Sequence, residues 1–259
     1  MPIITIDGKT YKADNNETIL EVAKRAGIFI PTLCYHPALS GYASCRLCLV
    51  EIDRGGWRQI VTSCNYPIRK DLCVFINSEH ATYARKSVME LLLARCPDSE
   101  EIKKLAERMG ISGTPYPTVT EAQRNCILCG LCIRICSDVI GQSAISFAGR
   151  GSERVVSTPF QLASEACIAC GACAAICPVG TIQIRMYDDE IEISPFKSKA
   201  PLPRCVECGT KLSSAKAGEK IIELLNKKYP KDTIKTLRET MMICPKCRQK
   251  RTACAMNIG

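Results

Sequence analysis

The chain has 259 residues and a formal net charge of +9, and its 19 cysteines accompany only 2 histidines. The N-terminal sequence MPIITIDGKTY has neither the basic nor the apolar segment of an export signal, which a secreted disulfide scaffold would need. The missing export signal and the C-x-x-C spacing of many cysteines therefore favour metal binding in a reducing cytoplasm over disulfides. No apolar run reaches the roughly 18 residues of a membrane span, so we expect no membrane segment.

Residues 1–78 are predicted to form a small β-rich domain. Between its second and third strands, residues 17–26 have the apolar periodicity of a helix, with Asn16 as the N-cap and Gly27 as the stop. The last strand is expected to close the sheet. The five strand-like segments, separated by turn residues, are 3–6, 9–12, 49–53, 57–62 and 74–76.

The loops of this domain contain the first set of cysteines. A C-x-x-C pair lets two thiolates reach one metal centre, and two distant cysteines complete the cage. The plant-type [2Fe–2S] pattern has four residues between its first two cysteines, whereas this chain has a longer loop there. Zinc is the alternative for a lone C-x-x-C pair, but the β-grasp-like surroundings favour one [2Fe–2S] cluster. Its predicted ligands are Cys34, Cys45, Cys48 and Cys64.

Residues 79–120 are predicted to be a helical connector. An apolar stripe marks one helix, and Asp98 with Glu101 three residues later predicts the N-terminal cap of a second helix that stops at Gly110. Two prolines in residues 112–120 indicate an extended linker.

Residues 121–192 contain an internal repeat, CILCGLCIRIC at 126–136 and CIACGACAAIC at 167–177. Both runs have the spacing of a bacterial ferredoxin domain with two [4Fe–4S] clusters, in which the fourth cysteine of each run binds the other cluster. The first run ends Cys136-Ser137 where proline is usual, which should alter the turn more than the ligation. The predicted ligand sets are Cys126, Cys129, Cys132 and Cys177 for the first cluster, and Cys167, Cys170, Cys173 and Cys136 for the second.

Residues 193–259 are predicted to be a separate basic module, with a proline-rich linker at 195–203 and a helix at 218–228. Paired cysteine knuckles typically form a tetrahedral zinc site of the zinc-ribbon type, and a further iron–sulfur cluster is the alternative. The basic charge favours docking to an acidic protein, or a role in solubility alone, over nucleic acid. The four cysteines of this predicted site are Cys205, Cys208, Cys244 and Cys247.

Three cysteines remain outside these sets and are predicted to be ordinary thiols: Cys73, Cys96 and Cys254. His36 is predicted to be a loop residue. Three arginines lie beside the predicted ligands, where their charge would either favour reduced clusters or simply be solvated: Arg46, Arg124 and Arg134.

The motifs PTLCYHP, SCRLCLVEI and SCNYP resemble the [2Fe–2S] domain of the large iron–sulfur subunit of respiratory complex I. Residues up to about 190 resemble the electron-wiring subunit of cytoplasmic NAD(P)-linked hydrogenases and formate dehydrogenases, a group that includes flavin-based electron-bifurcating complexes. Relatives often carry an extra cluster bound by one histidine and three cysteines. Here no cysteine follows His80 until Cys96, so that site is expected to be absent.

The resemblance implies an α+β electron-transfer subunit with no substrate site and no catalytic residues of its own. Its partners in a hetero-oligomer would be a flavin- and NAD(P)-binding iron–sulfur subunit, a small [2Fe–2S] subunit and a catalytic subunit. That last subunit would be a hydrogenase, a ferredoxin-reducing subunit or a transhydrogenase, with a formate dehydrogenase as the alternative. The alternatives are a free-standing multi-cluster ferredoxin and a redox-sensing nucleic-acid-binding protein, although we expect no nucleic-acid partner.

Overall fold

The computed structural model describes residues 1–119 and 125–256, and within these ranges helices and strands mix as expected for an α+β chain. The strands are β1 (Ile3–Ile6), β2 (Lys9–Lys12), β3 (Leu49–Asp53), β4 (Arg58–Thr62), β5 (Leu72–Phe75), β6 (Ser146–Ala148), β7 (Val155–Ser157), β8 (Gln183–Met186), β9 (Glu190–Ser194) and β10 (Ser198–Pro201). The α-helices are α1 (Ile19–Arg25), α2 (Glu79–Arg95), α3 (Glu100–Arg108), α4 (Leu131–Arg134), α5 (Ala172–Ala175), α6 (Ala215–Asn226), α7 (Lys231–Met241) and α8 (Pro245–Met256). Among these helices, none has both the length and the apolar character needed to cross a bilayer.

The N-terminal domain is a five-stranded mixed sheet with strand order β2-β1-β5-β3-β4. The Asp7-Gly8 hairpin is confirmed, and β1 runs parallel to β5. The last predicted strand therefore lies at the centre of the sheet and not at its edge. Helix α1 buries its apolar stripe, which includes Leu20 and Val22, in the core of this domain.

The prediction of Asn16 as the cap of α1 is wrong, because the cap is Thr18. The Thr18 hydroxyl accepts a hydrogen bond from the Glu21 N–H at 3.3 Å, and the Glu21 carboxylate accepts one from the Thr18 N–H at 2.8 Å. Only Thr18 has a glutamate three residues later, and that spacing is what a reciprocal capping box requires.

The connector consists of α2 and α3, as predicted, but its second cap is displaced by one residue. The Ser99 hydroxyl, not the Asp98 carboxylate, accepts the N–H of Ile102. Helix α2 is fixed to the first sheet by Arg85, whose guanidinium donates to the Leu49 carbonyl at 2.8 Å. Buried apolar side chains of both connector helices also belong to one hydrophobic core with residues of the first domain and of the cysteine repeat.

In the repeat, the two cysteine runs form the short helices α4 and α5, and β6 and β7 form a hairpin between them. The predicted linker at 195–203 is wrong, because residues 198–201 form β10 of a three-stranded sheet with order β10-β9-β8. Strand β9 also continues through residue 193, where the sequence had suggested a new module.

The C-terminal residues form three helices where the sequence predicted one. Helices α6 and α7 pack together between the two cysteine pairs, and α8 begins directly after Cys244. The predicted helix at 218–228 corresponds to α6, which begins and ends slightly earlier.

Candidate metal centres

The first cysteine set comes together at one end of the N-terminal domain. Cys34 lies in the loop after α1, two further cysteines lie in the loop before β3, and Cys64 lies in a 3-10 turn after β4. All four side chains are buried, and the Cys45 N–H donates to the Cys34 Sγ at 3.3 Å. The neighbouring Cys45 and Cys64 thiols and backbone N–H groups lower the pKa of Cys34, because each of them stabilises its thiolate.

Gly41 is a residue of this site that sequence reasoning missed. A Cβ atom there would lie 2.0 Å from the carbonyl oxygen of Cys64, so only glycine permits this approach. The requirement depends on a neighbour in space, and the only signal in the sequence is a glycine inside the long loop between Cys34 and Cys45.

The residues around this set fit an anionic cluster. In the described part of the chain, the Thr32 hydroxyl oxygen, two residues before Cys34, is buried without a hydrogen-bond partner. The same is true of Nη1 of Arg134, whose Nη2 donates to the Ser40 carbonyl in the same loop at 2.6 Å. Buried donors normally have an acceptor, and the sulfides and thiolates of a bound cluster would supply acceptors here.

The repeat encloses two cavities whose cysteines come from both runs. A cavity of about 270 Å³ is lined by three cysteines of the first run and by Cys177 of the second. A smaller cavity is lined by three cysteines of the second run and by Cys136 of the first. The structure therefore brings together the same two groups of four that the crossed pattern predicts.

The two runs also share their backbone conformation. Leu128 and Ala169 occupy equivalent positions and have φ values of 51° and 49°. Gly130 and Gly171 precede the two short helices with φ values of 73° and 78°, in the left-handed region that favours glycine. Repeated geometry of this kind presents each set of three cysteines in the same way.

The turns after the two runs differ, as the replacement of proline by Ser137 predicted. After Cys136 the chain continues as a π-helical turn through Val139, whereas α5 ends at Ala175, before Cys177-Pro178. Proline has no N–H to donate to a continuing helix, and serine has one. Cys136 nevertheless lines the second cavity, and its Sγ accepts the Ala144 N–H at 3.4 Å.

Burial makes these thiols poor acids in the absence of metal. It raises the pKa of Cys129 and of Cys173 to about 12, and it also raises the pKa of Cys132. Thiolates are the ligands of iron–sulfur clusters. Thiolates at these positions therefore require a compensating positive charge such as that of bound iron.

The C-terminal cysteines form a much tighter group. The sulfur atoms of Cys205, Cys208, Cys244 and Cys247 all lie within 4.8 Å of one another. The Cys244 N–H donates to the Cys205 Sγ at 3.2 Å, and the Cys247 N–H in the first turn of α8 donates to the Cys244 Sγ at 3.5 Å. The Thr210 hydroxyl, 3.3 Å from the Cys208 Sγ, is the main cause that lowers the pKa of Cys208 to about 6.

The first cysteine set and the larger cavity of the repeat are direct neighbours. Cys34 and Cys45 belong to the same buried cluster as Cys129. The Ser44 hydroxyl donates to the carbonyl of Leu128, one residue before Cys129, at 3.3 Å. The loops that carry these two sites are therefore hydrogen-bonded to each other.

The remaining sequence candidates have other surroundings. Cys73 is exposed on β5, and Cys96 is fully buried at the end of α2. His36 accepts the Ala38 N–H at 3.2 Å as part of its loop, and His80 contacts the Glu51 carboxylate at 3.1 Å. Arg46 is exposed. Arg124 and the side chain of Cys254 lie outside the described residues.

Two domain families match the chain. One is described as a 2Fe-2S iron-sulfur cluster binding domain and matches residues 3–79. The other is a 4Fe-4S dicluster domain and matches residues 125–181. Both ranges end before Cys205, so the C-terminal cysteine group lies outside them.

A chain of the NAD+-reducing [NiFe]-hydrogenase, crystallised in the H2-reduced state, superimposes with a TM-score of 0.54 and 30% identity over 61% of this chain and 74% of that chain. The HndD subunit of the NADP-reducing hydrogenase of Solidesulfovibrio fructosivorans is 36% identical in an alignment 220 residues long, which covers 74% of this chain and 37% of the relative. The chain belongs to the family of iron–sulfur subunits of NAD(P)-linked oxidoreductases.

Other members of this iron–sulfur subunit family are also similar. The 78 kDa subunit of mitochondrial NADH-ubiquinone oxidoreductase of Candida albicans is 27% identical over 71% of this chain and 28% of the relative. The alpha subunit of the NADPH-Fe(3+) oxidoreductase of Geobacter sulfurreducens is 31% identical over 70% of this chain and 24% of the relative. The chain thus spans between 24% and 37% of the length of these curated relatives.

Proposed function

We propose that this chain is an electron-transfer subunit that holds one [2Fe–2S] and two [4Fe–4S] clusters in an NAD(P)-linked oxidoreductase complex. The observation that carries the proposal is the contiguity of the three cysteine sites. The Ser44 hydroxyl, next to Cys45, donates to the carbonyl of Leu128, which lies between two residues that line the larger cavity. Each cavity of the repeat is also lined by one cysteine of the other run, Cys177 in the larger and Cys136 in the smaller. The bound clusters would supply one-electron chemistry.

The protein's own contribution is to bind the clusters, exclude water and keep them close together. The [2Fe–2S] ligands would be the buried first set, and the cube ligands would be the two crossed sets that line the cavities. Burial and hydrogen bonds to sulfur adjust the potentials of such clusters. Cys170 is exposed, which suggests that electrons enter or leave at the second cube.

For the C-terminal group we propose a structural zinc ion. In a tetrahedral zinc site with Zn–S bonds of about 2.3 Å, neighbouring sulfur atoms lie about 3.8 Å apart. The Cys208 and Cys244 sulfur atoms are 3.6 Å apart. A cube would spread its ligands more widely, because each thiolate binds a different iron atom. This compactness favours zinc over a further cluster.

The partners that fit this role are a flavin- and NAD(P)-binding iron–sulfur subunit, a small [2Fe–2S] subunit and a catalytic subunit. The catalytic partner would be a hydrogenase, a transhydrogenase or a formate dehydrogenase, and electron bifurcation would be a property of the complex. A reducing cytoplasm fits this hetero-oligomer, because the described cysteines form no disulfide bonds.

The basic C-terminal module provides a surface for one of these partners. In residues 245–253, the first part of α8, every side chain except Cys247 is exposed, and four are basic: Lys246, Arg248, Lys250 and Arg251. Two exposed apolar residues lie beside it. Met242 comes three residues before the start of α8, and its carbonyl accepts the N–H of Val206. Protein interfaces combine an apolar centre with a charged rim, so an acidic protein fits this surface better than nucleic acid does.

We propose four structural units: a [2Fe–2S] domain at 1–78, a connector at 79–120, a dicluster domain from 121 and a C-terminal metal module. The sequence boundary at 192/193 falls within β9. A boundary after β10 keeps the three-stranded sheet in one unit.

The proposal is tested by metal analysis and EPR spectroscopy of the full chain after anaerobic purification. We expect about ten iron atoms and about one zinc ion per chain, with the signals of one [2Fe–2S] and two [4Fe–4S] clusters after reduction. An iron content near two would refute the dicluster reading, and about fourteen iron atoms without zinc would refute the zinc assignment.

A second experiment tests the assignment to a complex. The chain is tagged in its own host, isolated anaerobically and analysed for stoichiometric co-purification of a flavoprotein. A monodisperse monomer would instead support a free-standing ferredoxin. Salt-sensitive binding of a labelled DNA duplex or RNA at low ionic strength would support the nucleic-acid alternative.

A further inference from the structure

Arg134 connects the two cluster-binding domains. It is the last residue of α4, between Cys132 and Cys136, yet its side chain lies against the loop that separates Cys34 from Cys45. Its Nη2 donates to the Ser40 carbonyl at 2.6 Å and to the Ser40 hydroxyl at 3.1 Å. The guanidinium also lies 5.3 Å from the centre of the Tyr42 ring.

The segment that Arg134 holds is in contact with a ligand of the first site. Gly41 lies between the two residues that Arg134 touches, and it packs directly against the backbone of Cys64. An arginine of the dicluster domain therefore fixes the loop that closes the [2Fe–2S] site. The Ser44 bond to Leu128 fixes the same loop nearby.

The charge of Arg134 is only partly compensated by the described residues. The side chain is 14% exposed, and its nearest carboxylate, Asp138, is 4.0 Å from Nε and largely in solvent. Nη1 is buried and has no hydrogen-bond partner among these residues. A buried cation requires a nearby negative charge, and the thiolate-bound clusters on either side of this junction would provide it.

We propose that Arg134 raises the reduction potential of the [2Fe–2S] cluster across the domain junction, because its positive charge stabilises the more negative reduced state. The inference rests on the proposed cluster content of the chain. It assigns a role to a residue of the dicluster domain in setting the potential of a cluster that another domain binds. Because Arg134 lies at the contact between the two domains, that potential would also depend on how the domains pack together.

The test is an EPR-monitored redox titration of the full chain with its clusters reconstituted, for wild type, R134Q, R134K and the control R58Q. Like Arg134, Arg58 lies near a carboxylate, Glu51, and an aromatic ring, Phe75, but it is at the start of β4, which is the end remote from Cys64. We expect R134Q to lower the [2Fe–2S] reduced-to-oxidised ratio at fixed potential at least tenfold, which is a negative shift of about 59 mV for one electron. R134K, which keeps the charge, should remain near wild type, and R58Q should not shift.

The outcomes separate this inference from the proposed function. Absence of a [2Fe–2S] signal in wild type would refute the proposed function itself. A full iron content in R134Q with an unchanged potential would refute the role of Arg134, and so would equal shifts in R134Q and R134K. If R134Q does not retain the cluster, R134K decides: a wild-type potential supports the role of the charge, and loss of the cluster there too means that Arg134 only maintains the fold.

Discussion

Replacement of Gly41 by alanine tests whether the long loop of the first site closes as the structure shows. The new Cβ would lie 2.0 Å from the Cys64 carbonyl oxygen and 2.8 Å from its carbonyl carbon. Favourable contacts between non-bonded atoms lie near 3.5–4.0 Å, so the loop or the Cys64 turn must move by more than about 1 Å. Overpacking typically costs about 1–3 kcal/mol. We expect the upper end for Gly41→Ala, because the obstructing atoms are backbone.

The assay is the [2Fe–2S] EPR signal and the iron content of Gly41→Ala after anaerobic reconstitution, together with a thermal unfolding curve. The variant should lose most of the [2Fe–2S] signal and retain both [4Fe–4S] signals, because the clash displaces one ligand of the first site. Gly113→Ala is the matched control, since a Cβ there meets no atom within 4 Å and the backbone is not left-handed. A wild-type [2Fe–2S] content and melting temperature in Gly41→Ala would refute the reasoning.

Three further predictions follow from the sites and from the connector. Cys177→Ala should remove the cube whose other ligands are in the first run, and Cys136→Ala should remove the cube of the second run. EPR of the two variants would show the opposite assignment if the ligand sets were not crossed. Cys208→Ala should eliminate zinc from elemental analysis and leave about ten iron atoms, whereas loss of iron would show a cluster at the C-terminal site. Ser99→Ala should lower the unfolding free energy by about 1 kcal/mol in denaturant titrations, because it removes a helix cap. Ser87→Ala, inside α2, should be neutral or slightly stabilising, and equal losses in the two variants would contradict the cap.

Local sequence was sufficient wherever a short motif fixes its own geometry. The Asp7-Gly8 hairpin was predicted at the correct position, and the two cysteine runs lie within the matched dicluster domain, since each feature is determined by residues within a few positions of one another. The caps of α1 and α3 were misplaced by one or two residues. Asn16 and Asp98 are good capping residues, but Thr18 and Ser99 were the ones whose hydroxyls reached the N–H groups of the first turn.

Longer-range features could not be read in this way. Residues 198–201 contain a proline and lie between two others, Pro195 and Pro203, which is a linker composition, but they pair with β9 as an edge strand. Proline is tolerated there because an edge strand leaves some of its N–H positions unpaired. The central position of β5 likewise depends on its parallel pairing with β1, which lies more than sixty residues earlier.

The sequence by itself determined the chemistry of this protein, because cysteine spacing within each run limits which metal centres the thiolates can reach together. Only the tertiary structure decided how the sites lie relative to one another. It brought Cys177 and Cys136 to opposite cavities, gathered the four C-terminal sulfur atoms within 4.8 Å, and laid Arg134 across the loop of the first site. These arrangements depend on contacts between residues far apart in the chain, which packing of the whole molecule fixes and no local pattern encodes.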